Sequence, residues 1–471
     1  MPTYNFTLFI FHRSLRLEDN KGLIYALQNS NYVIPIFILT PEQLTTKNKY
    51  RSEKAITFMF NALDDLDNSL RKYSSKLFLY YGTNNNVINE LLENDNKIDA
   101  IICNKDYTKY AIERSEIYEK LSQEHNIDFI EIEDYLLHDV NTIKNGQDSY
   151  YSKFTPFYKN GITYDVEKPK TNKYENYVKK YSVKNKYDIT LDKVRKTIKL
   201  KDEELIFEAT RNQALKQLNK IKNQKKYGDT RNDLTKETTL LSPYIKFGLL
   251  SIREVYLKIK SLFGKSHDLI KQLYWREFYY NISYNRTDIF EKASFKLSFD
   301  NIKWKNNEKL FELWKEGKTG YPIVDAGMRE LNETGYMHNR TRLITSNFLV
   351  KHLFIDWRWG EQYYASKLID YDPSVNNGNW QFSSSSGADS QPYFRMMNPI
   401  TQGEKHDPDC IYIKKWVEEL NDISSDDIHN WHNVYNDKKY KNIYYPPCKI
   451  YDFKKLKEES KKIYKGAFNK N

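Results

Sequence analysis

The chain has 471 residues, of which 39% are hydrophobic, 29% charged and 15% aromatic, a composition that can bury a large core and excludes wholesale disorder. Lys+Arg number 74 against 63 Asp+Glu, a formal charge of +11, which favours a polyanionic partner such as nucleic acid, although a Lys-, Asn-, Ile- and Tyr-rich coding bias produces the same excess. The longest apolar runs, at 6–11 and 34–39, fall well short of the roughly 18 residues of a membrane span. No basic-then-apolar leader opens the sequence, and three scattered cysteines, Cys103, Cys410 and Cys448, argue against a disulfide framework. An intracellular, non-secreted chain without a membrane anchor is expected.

The first 135 residues alternate two periods. β-rich runs at 5–11, 32–39, 76–81, 98–103 and 127–132 are separated by amphipathic stretches at 20–28, 52–73, 87–93 and 107–125. Continuous apolar strands alternating with helices predict a Rossmann-like, doubly wound parallel sheet with both faces covered. Ligands of such sheets bind at the carboxyl ends of the strands. Residues 136–200 lose this periodicity and read as an interdomain connector; within it, the aromatics around Pro156 at 151–157 suggest a loop pinned against a folded body. From 201 to 471 the pattern is helical. Val324, Met328 and Leu331 share one helix face, with Pro322 where a helix starts and Gly335 where it stops. The tail after 453 reads as a short Lys-rich helix.

Three local patterns mislead. Gly-Lys-Ser at 264–266 and Gly-Lys-Thr at 317–319 lack the earlier glycine of a phosphate-cradling loop, since Ile259 and Glu312 stand there. His406, Asp407, Asp409 and Cys410 lack paired zinc-ligand spacing, and no metal is expected.

An ordered set of motifs is more specific. Phe-His-Arg-Ser-Leu-Arg-Leu-Glu-Asp-Asn stands at 11–20, Trp-Arg-Glu-Phe-Tyr at 275–279, Tyr-Pro-Ile-Val-Asp-Ala-Gly-Met-Arg-Glu-Leu at 321–331 and Gly-Tyr-Met-His-Asn-Arg-Thr-Arg at 335–342. Ile-Asp-Trp-Arg-Trp-Gly at 355–360, Leu-Ile-Asp-Tyr-Asp at 368–372, Asn-Asn-Gly-Asn-Trp-Gln-Phe at 376–382 and Pro-Tyr-Phe-Arg-Met-Met-Asn-Pro at 392–399 complete it. The chain resembles the photolyase/cryptochrome flavoproteins, most of all the class I cyclobutane pyrimidine dimer photolyases. The resemblance runs over essentially the whole length. It implies an α/β antenna domain over 1–135 and a helical FAD- and DNA-binding domain over 201–471.

By that resemblance, reduced FAD is held beside an Arg342–Asp370 pair, with Asp372 and Asn339 as polar neighbours and Asn376 facing flavin N5. Its diphosphate falls to Tyr227, Thr238, Thr239, Ser242 and Arg276. Trp304, Trp357 and Trp380 occupy the three electron-relay positions of the family. The substrate implied is UV-damaged DNA, with the lesion flipped out of the duplex against Trp275, Gln272 and Phe382. Arg231, Arg340, Arg395 and Lys405 form a phosphate-contacting rim. The expected activity is light-driven splitting of pyrimidine dimers by electron transfer, performed by a monomer.

Some positions depart from the pattern. Gln272 replaces a glutamate and Phe382 a stacking tryptophan, which keeps open a blue-light photoreceptor of the cryptochrome type, or a preference for single-stranded DNA as in the cryptochrome-DASH branch. Asn339 and Leu343 replace the histidine pair of (6-4) photolyases, so (6-4) repair is not expected. Glu113 matches a folate-contacting glutamate, pointing to methenyltetrahydrofolate as antenna. Lys47 stands where folate binders have histidine, which leaves a deazaflavin or an empty site open. Ser14 replaces a larger polar residue after Arg13, with no account in the sequence.

Overall fold

A computed structural model describes residues 2–447 and 452–467; Cys448 lies outside them. The chain divides into two compact units. The first comprises the residues up to Tyr151 together with Thr155–Lys225 and Thr239–Thr287, and the second Ser152–Phe154, Lys226–Thr238 and the residues from Asp288 onward.

The first unit is built on strands β1 (Tyr4–Phe11), β2 (Ser30–Leu39), β3 (Phe78–Tyr81), β4 (Ile98–Asn104) and β5 (Asp128–Ile132). They pair in parallel in the order β3-β2-β1-β4-β5, the doubly wound arrangement expected. Helices α1 (Lys21–Asn29), α2 (Glu53–Arg71), α3 (Asn84–Asn94) and α4 (Lys109–Glu124) connect them. Each starts where a short polar side chain, Asn20, Ser52, Thr83 or Thr108, accepts a hydrogen bond from a first-turn N–H. β1 and β4 are buried nearly throughout because helices cover both faces.

The stretch after β5 lies along this sheet. Val33 N–H donates to the Asn176 carbonyl at 2.9 Å and Val178 N–H to Val33 at 2.8 Å; Tyr81 N–H donates to Tyr187 at 2.9 Å. The segment expected as a pinned loop includes the start of a helix, Phe154–Gly161; Pro156 falls in its first turn, where no N–H is needed. Helices α5 (Ile252–Phe263) and α6 (Asp268–Asn285) also belong to the first unit. Arg253 of α5 donates to Asp19 at 3.1 Å and to Asp134 at 2.7 Å, and Arg16 reaches Asp134 at 2.8 Å. Burial alone would raise the Asp134 carboxyl, but Arg16 and Arg253 hold it well below the usual carboxylate range. Ser14 Oγ donates to the same carboxylate at 2.6 Å, which accounts for a small hydroxyl there.

The second unit is helical. α7 (Pro322–Thr334), α8 (Asn339–Lys351), α9 (Trp357–Lys367) and α10 (Pro373–Ser384) enclose a core containing Met328, Leu331, Trp314, Trp357 and Trp380. Pro322 opens α7 and Gly335 closes it in the left-handed conformation, φ +69°, as the sequence signals predict. At Gly360 a Cβ would lie 2.1 Å from Trp380 Cη2, so only glycine lets α9 approach that indole.

The misleading triplets are turns: Gly264 caps α5 at φ +85°, and Thr319 donates to Asp325 at 2.7 Å. Asp407 accepts from the N–H groups of Tyr412 and Ile413 at 3.0 and 2.8 Å. Among the described residues no cluster of three or more potential ligands could hold a metal ion, and no helix is long and apolar enough to cross a membrane.

Candidate flavin and nucleic-acid sites

α8 carries Arg342 and the turn after α9 carries Asp370, and the fold brings them together. Arg342 Nη2 donates to both Asp370 oxygens at 3.2 and 2.9 Å, and Nε to the Met337 carbonyl at 2.8 Å. Burial opposes the guanidinium charge, but Asp370 outweighs it and keeps Arg342 firmly cationic. Tyr336 lies under that guanidinium, 5.4 Å from its ring centre. Its phenol is pushed up to about 12 by burial and hydrogen-bonds Thr238, so Thr238 joins this cluster.

Asp372 caps α10 by accepting from Ser374 and Val375 N–H at 3.1 and 3.2 Å. One turn on, Asn376 Nδ2 donates to the Glu361 carboxylate at 2.9 Å and its carbonyl at 3.2 Å. Its Oδ1 is thereby the face of the amide left to accept from an N–H. Asn339 is exposed at the start of α8, and Tyr227 is half-buried at the start of the helix Tyr227–Thr230.

Two buried groups beside this cluster have no hydrogen-bond partner: the indole N–H of Trp380 and Nε2 of His338. His338 Nδ1 accepts from Arg340 N–H at 3.1 Å, and burial with Arg340 and Arg342 pushes its pKa down to about 4. A fixed cation, an oriented amide acceptor and unmatched donors suit a polar, electron-accepting ring better than an apolar filler. The residues present therefore fit a flavin.

The three tryptophans expected to form a relay share one core. Trp357 and Trp380 are each 2% exposed and Trp304 packs, partly buried, against the same cluster. The rings in contact with Trp380 are Tyr364, 4.8 Å away, and Trp314, 6.2 Å away. Arg358 lies 4.8 Å over Trp357, and Trp304 meets Tyr464 edge-on at 5.8 Å.

A cationic cluster forms around Asn232. Arg340 donates to Asn232 Oδ1 through Nη2 at 2.6 Å and Nε at 3.2 Å. Burial, then the Arg231 charge, pulls the Arg340 pKa down, and burial with Arg340 and Lys405 pushes His406 down to about 4. Arg231, Arg340 and Lys405 are thus together. Arg395 is exposed, in a turn where its N–H bonds Pro392 at 2.9 Å. Phe382 is half-buried on α10.

In the first unit, Gln272, Trp275 and Arg276 lie half-buried along α6. Trp275 packs against Phe278 and Tyr279, each at 5.7 Å. Arg276 pairs with Glu277 at 3.2 Å and lies 4.7 Å over Tyr280. Burial raises Glu277 to about 7 against the Arg276 charge. Ser242 opens the helix Ser242–Lys246, and the Thr239 carbonyl accepts from Gln217 at 3.0 Å.

Glu113 is on the open face of α4, beside Lys109 at 3.9 Å, and Lys47 is exposed. Sequence reasoning missed a more telling pair, His12 directly after β1 and Arg114 on α4. Arg114 is 7% exposed, yet its Nε and Nη2 have no partner, and neither imidazole nitrogen of His12 has one. Burial, then the Arg114 charge, holds His12 well below its ordinary pKa. His12 stood in the quoted 11–20 motif and Arg114 directly after Glu113; only burial without partners marks them.

A doubly wound sheet unit and a helical unit bearing a caged cation, an oriented amide and clustered tryptophans define a flavin-dependent photochemical protein. Residues 7–172 match the family described as DNA photolyase, and residues 269–466 the FAD binding domain of DNA photolyase. The deoxyribodipyrimidine photo-lyase of Buchnera aphidicola subsp. Acyrthosiphon pisum is 34% identical over 98% of this chain and 97% of its own. Among solved structures, the archaeal photolyase of Sulfolobus tokodaii with two FAD molecules is similar at TM-score 0.85 and 39% identity, covering 98% of this chain and 99% of its own. The class III photolyase of Agrobacterium tumefaciens reaches TM-score 0.89 at 28% identity, over 100% and 99%. The chain belongs to the DNA photolyase family.

Proposed function

We propose that this chain repairs cyclobutane pyrimidine dimers in UV-damaged DNA, using light to drive an electron into the flipped-out lesion. The observation that carries the reading is Asn376, clamped by Glu361 so that its carbonyl is offered to an N–H, with the Arg342–Asp370 pair in the same unit. Reduced FAD, which Arg342, Asp370 and Asn376 would hold, would supply light-driven one-electron chemistry with no net redox change.

The chain's own residues do the rest. Arg342 offsets negative charge in a site where water cannot. Asn376 accepts the N–H that only a reduced ring presents. Trp380, Trp357 and Trp304 relay electrons inward to keep the cofactor reduced. In the first unit Trp275 offers a stacking surface and Gln272 a hydrogen-bonding edge to an extruded base; in the second, Phe382 is a ring able to stack. Arg231, Arg340, Lys405 and Arg395 contact phosphates, which carry no sequence code and suit an enzyme that must act wherever a lesion falls. Gln272 and Phe382, where class I enzymes keep glutamate and tryptophan, favour lesions in single strands.

The unmatched donors at Arg114 and His12 support an antenna site there for an acceptor-rich ligand; the Sulfolobus relative has two FAD molecules, one implied to be a light-harvesting cofactor. The protein acts inside the cell, as a monomer.

The test is irradiated oligothymidine, single- and double-stranded, mixed with reduced protein under blue light. Thymine absorbance returns with illumination and not in the dark. Absence of any light-dependent return on both substrates overturns the reading.

A further inference from the structure

We infer that Trp380 is fed by a second electron-entry branch, through Trp314 to the half-buried Trp359, alongside the route through Trp357 and Trp304. The inference rests on Trp380 being the inner end of the relay, as proposed above.

The ring geometry carries it. Trp380 meets Trp314 at 6.2 Å and Tyr364 at 4.8 Å, both edge-on. Trp314 is completely buried and lies near-parallel to Tyr364 at 6.0 Å and 7°, and to Phe311 at 5.8 Å and 14°. Phe311 in turn meets Trp359 at 5.3 Å. Trp359 is partly buried against the same core. The series runs from an accessible indole to Trp380 with every ring touching the next.

Electrostatics favour this branch for a positive hole. Trp357 lies under the Arg358 guanidinium at 4.8 Å, and a cation on the ring face opposes removal of an electron, in part offset by the Asp356 and Asp300 carboxylates paired with Arg358. Trp314 instead has an aromatic π-face on either side, the surroundings that stabilise a cation. Its Nε1–H donates to the Thr345 carbonyl at 3.0 Å, which further stabilises positive charge on the indole. Lys315 lies 5.1 Å over Phe311, not over Trp314, and is paired with Glu312 at 2.7 Å. Tyr363 also touches Trp314, at 5.7 Å, but burial drives its phenol pKa up, so it does not readily lose the proton that tyrosine oxidation requires.

The electron count closes. Trp380 gives one electron to the photo-oxidant and is refilled from Trp314. Trp314 is refilled from Trp359 across Phe311, which bridges and is not itself oxidised. The Trp359 radical cation releases its indole proton to water. A thiol reductant in solution returns one electron and one proton to Trp359.

The experiment is flash photolysis of the flavin-loaded protein, following tryptophanyl-radical absorbance and its electron paramagnetic resonance spectrum. Trp357→Phe is expected to retain a long-lived, deprotonated tryptophanyl radical, and the Trp357→Phe/Trp359→Phe double variant to lose it. Trp380→Phe is expected to lose the radical altogether. If Trp357→Phe alone abolishes the radical, if the double variant matches the single, or if Trp380→Phe leaves the signal intact, the branch is overturned. Trp359 is only half-buried, so its replacement carries the test; Trp314→Phe, which opens a buried gap, is read only with its melting temperature. Dimer splitting by chemically reduced protein is measured in parallel. Its failure with the radical pattern intact sinks the repair reading and leaves the branch standing.

Discussion

Asn376 Nδ2 donates to the Glu361 carboxylate at 2.9 Å and to the Glu361 main-chain carbonyl at 3.2 Å, so one residue of α9 sets which way an α10 amide points. Removing the carboxylate frees that amide. Glu361→Ala is expected to shorten the lifetime of the reduced flavin in air about five- to tenfold, the equivalent of one hydrogen bond of about 1 kcal/mol. Glu361→Gln, which keeps an acceptor oxygen, should stay close to the parent. The check is flavin absorbance after photoreduction; equal lifetimes in all three proteins would remove Glu361 from this role.

Asp370 is 5% exposed at its side chain and Arg342 26%. Taking away the carboxylate leaves a mostly desolvated guanidinium without its counter-charge. The cost for a fully buried pair is about 3–5 kcal/mol, and the partial exposure of Arg342 lowers it to about 2 kcal/mol. Asp370→Ala should therefore purify with less bound flavin and melt several degrees earlier. Flavin-to-protein ratio and calorimetry measure both effects.

Gly360 has no room for a side chain, with Trp380 Cη2 2.1 Å and Leu349 Cδ2 2.5 Å from the position of a Cβ. Alanine gains about 1 kcal/mol of helix propensity, but overpacking costs about 1–3 kcal/mol, and contacts this short belong at the upper end. Gly360→Ala is expected to melt below the parent and to shift Trp380 fluorescence. A higher melting temperature would show that the helices separate freely.

His138, His338, His352 and His406 each have a pKa pushed down to about 4, by burial first in every case. The unfolded chain takes up protons near pH 6.5, whereas the folded chain refuses them until about pH 4. The unfolded state binds more protons in that interval, so stability falls as pH drops from about 6.5 to about 4. Glu277, raised to about 7 by burial, has the opposite sign: its carboxyl costs stability as pH rises from about 4.3 to 7. Asp325, raised to about 6 by burial, has the same sign as Glu277; the four histidines outnumber the two, and melting temperature should decline below pH 6. His352→Asn should soften that decline and Glu277→Gln should steepen it; a flat profile for the parent refutes the assignment.

Arg395 is exposed and placed in the rim by resemblance alone. Arg395→Ala should reduce the slope of log K against log salt by about 0.9 for duplex DNA, one phosphate contact. An unchanged slope takes Arg395 out of the rim.

Much of the fold was legible beforehand. Apolar runs broken by amphipathic stretches are dictated by the two periods of backbone geometry, so all five strands and their parallel pairing could be read directly. Pro322 and Gly335 marked the ends of α7 because one lacks an N–H and the other tolerates positive φ. The helix Phe154–Gly161 was missed because Pro156 reads as a breaker unless it is known to occupy a first turn.

The candidate site was legible only as a set of residue types in order. The chain by itself determined the family and the chemical identity of each group, since motif order and side-chain chemistry are properties of the sequence. Tertiary structure alone decided that Glu361 aims Asn376, that Ser14 completes the Asp134 cluster, that Trp314 touches Trp380, and that Arg114 and His12 are buried without partners. These depend on distances between residues far apart in the chain, and neither hydrophobic period nor spacing encodes such distances.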